Sequence, residues 1–313
     1  MPMLERNQLL LAKVESTYGT DATPVASANA TLTFPVGTNL DIAVIQQNSV
    51  RASISASKKR LGRKMVNFNI SCDLKGSGAA GTPPEVGALL QACGFAETIS
   101  AGVKVDYKPV SSAASMKSVT IYFYYDGRVR KAVGCMGNVS ITCPPGETPR
   151  LSFTMRGKLA SDGDASLPAG SVFQSTVAVV VESAGMSFGS FNAAVVRSFG
   201  FESGNNLVDR SDINSAEGIS GVFLTERDPK WNASVEATPE ATKAWVGNLT
   251  ARTEEAIDVT LGTVAGNIVT ITMPKCVIDG GTDPQSDNGM VVFNLSGAAL
   301  ENAGNDNITI SFS

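Results

Sequence analysis

Apolar and polar residues alternate along residues 65–74, where Val66, Phe68, Ile70, Cys72 and Leu74 share one parity. That is the period of a strand with one buried face. Residues 117–125 set Val119, Ile121 and Phe123 against Thr120, Tyr122 and Tyr124, and Asp126-Gly127 then predicts a tight turn into residues 128–133. Further strands are expected near 31–34, 41–45, 138–143 and 150–159. Between the first two patterns the period changes to that of a helix. Thr82 is expected as its N-cap, Pro83 and Pro84 in its first turn, and Glu85 closing a capping box; Val86, Leu89, Leu90 and Cys93 lie on one face before Gly94.

The plan then recurs. Phe68-Asn69-Ile70-Ser71-Cys72-Asp73 has the residue order of Trp231-Asn232-Ala233-Ser234-Val235-Glu236, and Thr82-Pro83 that of Thr238-Pro239. Ala241, Ala244, Trp245 and Leu249 have helical spacing. A hairpin tip follows in each copy, at Asp126-Gly127 and at Ala265-Gly266, and then a Phe-x-x-x-Gly strand at Phe153 and at Phe293. From Gly127 to Phe153 is 26 residues and from Gly266 to Phe293 is 27. Four landmarks in one order predict a duplicated domain, with Phe68 matching Trp231 and Phe153 matching Phe293. Second-half strands are expected near 177–181, 195–201, 221–225, 230–237, 256–261, 267–272 and 290–297, with a closing strand at 307–312. The expected organisation is an arm over 1–30 without a counterpart in the second half, a first domain over 31–160, a linker over 161–174 and a second domain over 175–313. Short strands, frequent turns and one helix per copy indicate a mainly β chain of two β-sandwich or barrel-like domains.

Composition narrows what such a chain does. Its 313 residues fit about two domains. Only 17% are charged and the formal net charge is -4, which excludes a tight polyanion binder. Histidine is absent, removing the commonest general base and metal ligand. Five cysteines without a C-x-x-C spacing fit reduced core thiols. The start lacks the features of a signal peptide and no apolar run suits a membrane helix, so a protein made without export is expected. Asn-x-Ser/Thr sequons, as at Asn69 and Asn232, are then ordinary strand residues.

Three patterns look like chemistry. Gly76-Ser-Gly78-Ala-Ala-Gly81 has the spacing of a dinucleotide-binding loop, but it precedes a Thr-Pro-Pro helix start and is missing from the second copy; a flexible loop is expected. The loop with Asp279, Asp283 and Asp287 spaces its acids by four, not by two as in a calcium hand. Tyr122, Tyr124 and Tyr125 could stack bases or sugars, yet fit cross-strand pairing better. No catalytic set assembles by spacing, so no enzyme activity, cofactor or metal is expected.

The segment Leu10-Leu11-Ala12-Lys13-Val14-Glu15-Ser16-Thr17-Tyr18-Gly19-Thr20-Asp21, the helix Ala88-Leu89-Leu90-Gln91-Ala92-Cys93-Gly94-Phe95 and the duplicated β-domain resemble the major tail tube proteins of long-tailed, non-contractile bacteriophages. The resemblance implies tandem tail-tube domains, each a β-sandwich flanked by a helix. It implies trimeric rings that mimic hexamers and stack into the conduit for DNA ejection. Tape measure and tail terminator or tip proteins are the implied partners, DNA passes transiently, no membrane is involved, and the protein is a virion component assembled in the host cytoplasm. An acidic pI near 5.1 suits a duct that must not hold phosphates. A secretion-system tube, or a carbohydrate-binding or adhesive β-sandwich with exposed loop aromatics, is the alternative.

The candidate contact residues follow from charge. Residues 51–64 carry Arg51, Lys58, Lys59, Arg60, Arg63 and Lys64 and no acid, an exposed loop or hairpin. The segment 202–218, taken as its counterpart, carries Glu202, Asp209, Asp212 and Glu217 against Arg210. In the family the loop before the central strand reaches the neighbouring ring, so this basic loop is expected to dock on an acidic surface there.

Overall fold

The computed structural model describes residues 3–50, 52–182 and 184–313. The first half comprises β1 (Gln8–Val14), α1 (Ala26–Asn29), β2 (Ala30–Thr31), β3 (Gly37–Gln46), β4 (Lys59–Asp73), α2 (Gly87–Ala92), β5 (Phe95–Ser100), β6 (Lys104–Pro109), β7 (Val119–Tyr125), β8 (Arg128–Cys143) and β9 (Arg150–Asp164). The second comprises β10 (Gly185–Phe188), β11 (Val196–Glu202), β12 (Asn205–Ser211), β13 (Ile219–Arg227), β14 (Lys230–Glu236), α3 (Trp245–Ala251), β15 (Glu255–Leu261), β16 (Val269–Gly280), β17 (Gln285–Asp287), β18 (Met290–Leu300) and β19 (Thr309–Phe312). The fold is mainly β.

Backbone pairing repeats between the halves. The first ladder runs β1-β7-β8-β9-β4-β3 and the second β10-β15-β16-β18-β14-β11, antiparallel throughout. Residues 8–14, expected within an arm lacking a counterpart, are thus a ladder strand, and β10 occupies the same place. Phe68 faces Met155 and Trp231 faces Gly297, so the position of Phe153 falls on Leu295, two residues beyond the expected Phe293. Two residues preserve the face of a strand. Leu295 is 1% exposed, whereas Phe293 is only partly buried.

Where the halves differ, they bind each other. The first half alone inserts β5 and β6 after its helix, and the second alone ends in β19. These pair, with Ile310 opposite Tyr107 and Phe312 opposite Val105. On another edge β11 pairs with β8, Phe199 to Glu202 against Cys143 to Ser140. One core cluster therefore runs from Leu10, Phe68 and Phe153 through to Trp231, Trp245 and Ile310. Both tryptophans are buried, at 2% and 1% exposure, so neither offers a sugar-binding platform.

The segment after β9 crosses this joint. Gln174 takes the backbone N–H of Glu85 and donates to the carbonyl of Pro83, and Lys75 reaches both the Gln174 carbonyl and Glu85. Glu85 is thereby drawn into a buried ion pair instead of a capping box. Helix α2 starts only at Gly87, with Val86 at its N-cap and no side-chain cap. The reason lies in Pro83-Pro84, because a residue preceding proline is held out of the helical region. Residues 177–181 form no strand; Val181 exchanges backbone hydrogen bonds with Gly146 and Glu147.

The glycine-rich loop belongs to the same joint. The Gly78 N–H donates to the Gly266 carbonyl at 2.9 Å, and the Gly76 N–H to Asn267 Oδ1 at 2.9 Å. A Cβ on Gly76 would stand 2.2 Å from the Gly266 oxygen. The glycines thus permit backbone-to-backbone contact between halves and are neither a flexible loop nor a nucleotide cradle. Gly76→Ala should destabilise the protein by about 1–3 kcal/mol in urea unfolding. Gly163→Ala, which meets nothing within 4 Å, should leave the unfolding midpoint in place.

Candidate assembly surface

Each half projects one long hairpin, and the two are built on one register. Thr38 pairs with Phe68 and Phe201 with Trp231; Val44 pairs with Leu61 and Leu207 with Leu224, every residue of the second set lying 163 positions after its counterpart. A bulge falls at the same step, between Ile42 and Val44 and between Asn206 and Leu207. Residues 51–64 therefore correspond to 214–227, and not to 202–218 as charge alone suggested.

The hairpins diverge in direction for a local reason. In the second half the outgoing strand breaks at Ser203-Gly204 and the returning one at Asp228-Pro229. Gly204 has φ +60, and a Cβ there would lie 1.9 Å from the Asp228 oxygen. Pro229 removes a ladder donor. The first half has Leu40-Asp41 and Met65-Val66 at those places, and β3 and β4 continue without interruption.

The bent hairpin lies on the first half. Ile219 and Val222 join Met65 and Met136 in a small apolar cluster, with Tyr18, Leu207 and Leu224 packed against it. The Tyr18 hydroxyl accepts the Val222 N–H at 2.6 Å, and its one proton is shared between the carbonyls of Val222 (2.9 Å) and Gly134 (3.1 Å). Asn205 donates to the carbonyls of Cys93 and Gly137, and Arg227 to those of Gly94 and Val110. At the centre Arg156 grips Asp209 with two hydrogen bonds, Nε to Oδ1 at 2.8 Å and Nη2 to Oδ2 at 2.7 Å, and reaches Asp41 at 2.7 Å. The hydrogen-bonded Arg156 guanidinium holds the Asp209 carboxyl below the usual carboxylate range.

The charged residues singled out from sequence separate into groups. Arg63 and Asp209 are brought together within one chain, Nη1 to Oδ2 at 3.3 Å. Asp212 accepts from the Asn214 N–H and Ser215 Oγ and so shapes its own turn. Glu202 is exposed on β11, opposite Lys230. Lys58, Lys59 and Arg60 are exposed along the straight hairpin, and Lys64 is half-buried at its base. Arg51 and the side chain of Glu217 lie outside the described residues. Sequence reasoning missed Tyr18, Asn205, Arg156 and Arg227, and also Val44 and Leu61, which stand 56% and 66% exposed. The shared 163-residue offset is the signal from which the Val44–Leu61 pair could have been found.

The other candidate sites resolve into structure. Tyr122 donates to Asp21 and Tyr125 to Asp162, while Phe123 and Tyr125 stack. Asp279 pairs with Arg252 and Asp287 with Arg197. Among the described residues no group of three or more acids or cysteines is placed to hold a metal ion. All five cysteines are buried as free thiols, and burial pushes Cys143 and Cys276 up to about 12. A cleft of about 690 Å³ opens between β10, β11 and β15, walled by Met186, Phe199 and Leu261. Among the described residues no helix is long and apolar enough to cross a membrane.

The two halves share one mainly β ladder order, and each carries one long hairpin, that of the second half laid on the first half and that of the first half exposed. The chain belongs to the phage tail tube proteins: the profile of that family, described as phage tail tube protein, matches residues 5–313. It is accordingly a structural protein of the virion tail that self-assembles into a tube. A search of curated proteins gave no match.

The Arg156 network sets a pH dependence. A carboxyl whose folded pKa is depressed contributes stability above its unfolded pKa and loses it as pH falls through the folded value. Asp209→Asn should cost about 1–3 kcal/mol at pH 7. The difference from wild type should shrink on acidification below about pH 4, where the unfolded carboxyl takes its proton. Parallel urea titrations at pH 7 and pH 3 measure both.

Proposed function

We propose that three copies of this chain close into a ring of six similar halves, and that such rings stack into the conduit through which DNA leaves a long, non-contractile tail. The observation that carries this reading is the repeated ladder order, since two equivalent halves in tandem supply two positions of a sixfold ring. In this reading the first tail tube domain is residues 31–160 with β1 added ahead of it and β9 carried on to Asp164, the second is residues 175–313, and the segment between them is the connection. Low charge density favours it further, because a duct with few cations lets phosphates slide. Tape measure and terminator or tip proteins are its partners in the tail, and assembly takes place in the host cytoplasm.

In the same reading the far end of the straight hairpin reaches the next ring. Val50 and Ile54 are fully exposed there, beside Lys58. Apolar side chains standing free at the tip of a long hairpin are a contact waiting for a partner. Native mass measurement of isolated rings should give three chains; six would end the trimeric reading. Val50→Asp with Ile54→Asp should leave rings intact under the electron microscope while stopping their stacking, and tubes of wild-type length would show that the tip is not the contact.

A further inference from the structure

The two hairpins offer an internal template. Leu207 and Leu224 of the bent hairpin are partly buried against the cluster that Ile219 and Val222 form with Met65 and Met136 of the first half, whereas their register counterparts Val44 and Leu61 are exposed. We infer that the base of the straight hairpin is covered by the second half of another copy of this chain, in the way that the bent hairpin is covered by the first half of its own. The inference rests on the tube reading and adds which surfaces meet within a ring.

The residues at the mapped positions support that occupant. Val222, buried in the bent hairpin, becomes Lys59 in the straight one, and Met65, its cluster mate on the receiving face, becomes Asp228. An apolar pair on one interface is thus an oppositely charged pair on the other. Arg63, which meets the acidic hairpin through Asp209, becomes Glu226. Lys59, Arg60, Glu226 and Asp228 are all exposed, and the Asp228 carboxylate pairs with Lys230 at 3.2 Å on an open surface. Both sides have changed together, so the receiving face suits a basic hairpin with an apolar base. A polyanion would suit the lysines but not the Val44–Leu61 pair.

The geometry is also self-consistent. A hairpin on the second half reaching the first half of one chain, and a hairpin on the first half reaching the second half of the next, form one repeated head-to-tail contact that can close on itself. The bend at Gly204 and Pro229 is what lets one of the two contacts form inside the chain.

Charge exchange on the intact chain tests this. Lys59→Glu with Arg60→Glu should leave thermal melting unchanged and raise the concentration needed for ring formation by about tenfold or more. Adding Glu226→Lys and Asp228→Lys to that chain should bring it back to within about threefold of wild type. Ring formation by the first variant as readily as wild type, or no recovery in the second, overturns the inference. Should the exchanged chains melt early, a mixture of Lys59→Cys and Asp228→Cys chains treated with a short bismaleimide decides instead. A covalent dimer in the mixture and not in either chain alone is the expected result, and its absence from assembled rings counts against the contact. Wild-type chains that form no rings at all sink the tube reading; wild-type rings indifferent to the exchange sink only this one.

Discussion

One buried carboxylate of the first half shapes the surface on which the second half is laid. Glu15 is 4% exposed and accepts four hydrogen bonds, from Ser118 Oγ, Thr120 Oγ1 and the backbone N–H groups of Gly19 and Gly134. A carboxylate in such a place is tolerable because each donor replaces a water it has lost. The Gly134 contact matters most. Gly134 has φ +63 and lies in the irregular stretch between Val133 and Met136, where β8 loses register with β9. Before that irregularity β8 pairs with β7; after it, the same strand takes β11 of the second half. Tyr18, three residues on from Glu15, offers its hydroxyl proton to the carbonyl of Gly134 and spans to Val222 of the bent hairpin. One short stretch of the N-terminal segment therefore touches both the irregularity in β8, beyond which β11 of the second half pairs, and the bent hairpin laid beside it.

Much of the frame was legible because it rests on local rules. The alternation in residues 65–74 is β4, and Asp126-Gly127 turns with φ of +36 and +93, as the hairpin signal requires. The duplication was visible at Phe68 and Trp231 since both sit at a buried ladder position. Other features failed where tertiary pairing outranks local preference. Strands β5 and β6 were passed over although Lys104, Asp106 and Lys108 alternate with Val105 and Tyr107; they pair with each other, and β6 also takes β19 from the far end of the chain. The capping box at Thr82 and Glu85 lost to a proline pair and to a buried lysine. Gly78 turns with φ +88, a local reason for glycine, but the close approach at Gly76 has its motive only in the other half, at Gly266 and Asn267.

The candidate contact residues illustrate the same limit. Charge runs showed that two hairpins of opposite sign exist, and the structure does join Arg63 to Asp209, but within one chain. What separated the inward use of one hairpin from the outward use of the other was a pair of small backbone cues, Gly204 and Pro229. Neither cue is unusual on its own. They acquire meaning only when the two hairpins are laid on a common register, which is a comparison inside the molecule and not a motif.

The bent hairpin also changes the arithmetic of growth. Because β12 and β13 are tethered to the face they cover, that contact forms at an effective concentration fixed by the chain and not by how many copies are in solution. In the proposed ring, every second contact between neighbouring halves is already made when a chain has finished folding. Collisions between separate molecules then need to supply only the remainder. In that ring, carrying two similar halves on one chain converts part of a concentration-dependent assembly into a step of folding, and lets the start of a tube depend on fewer encounters between molecules.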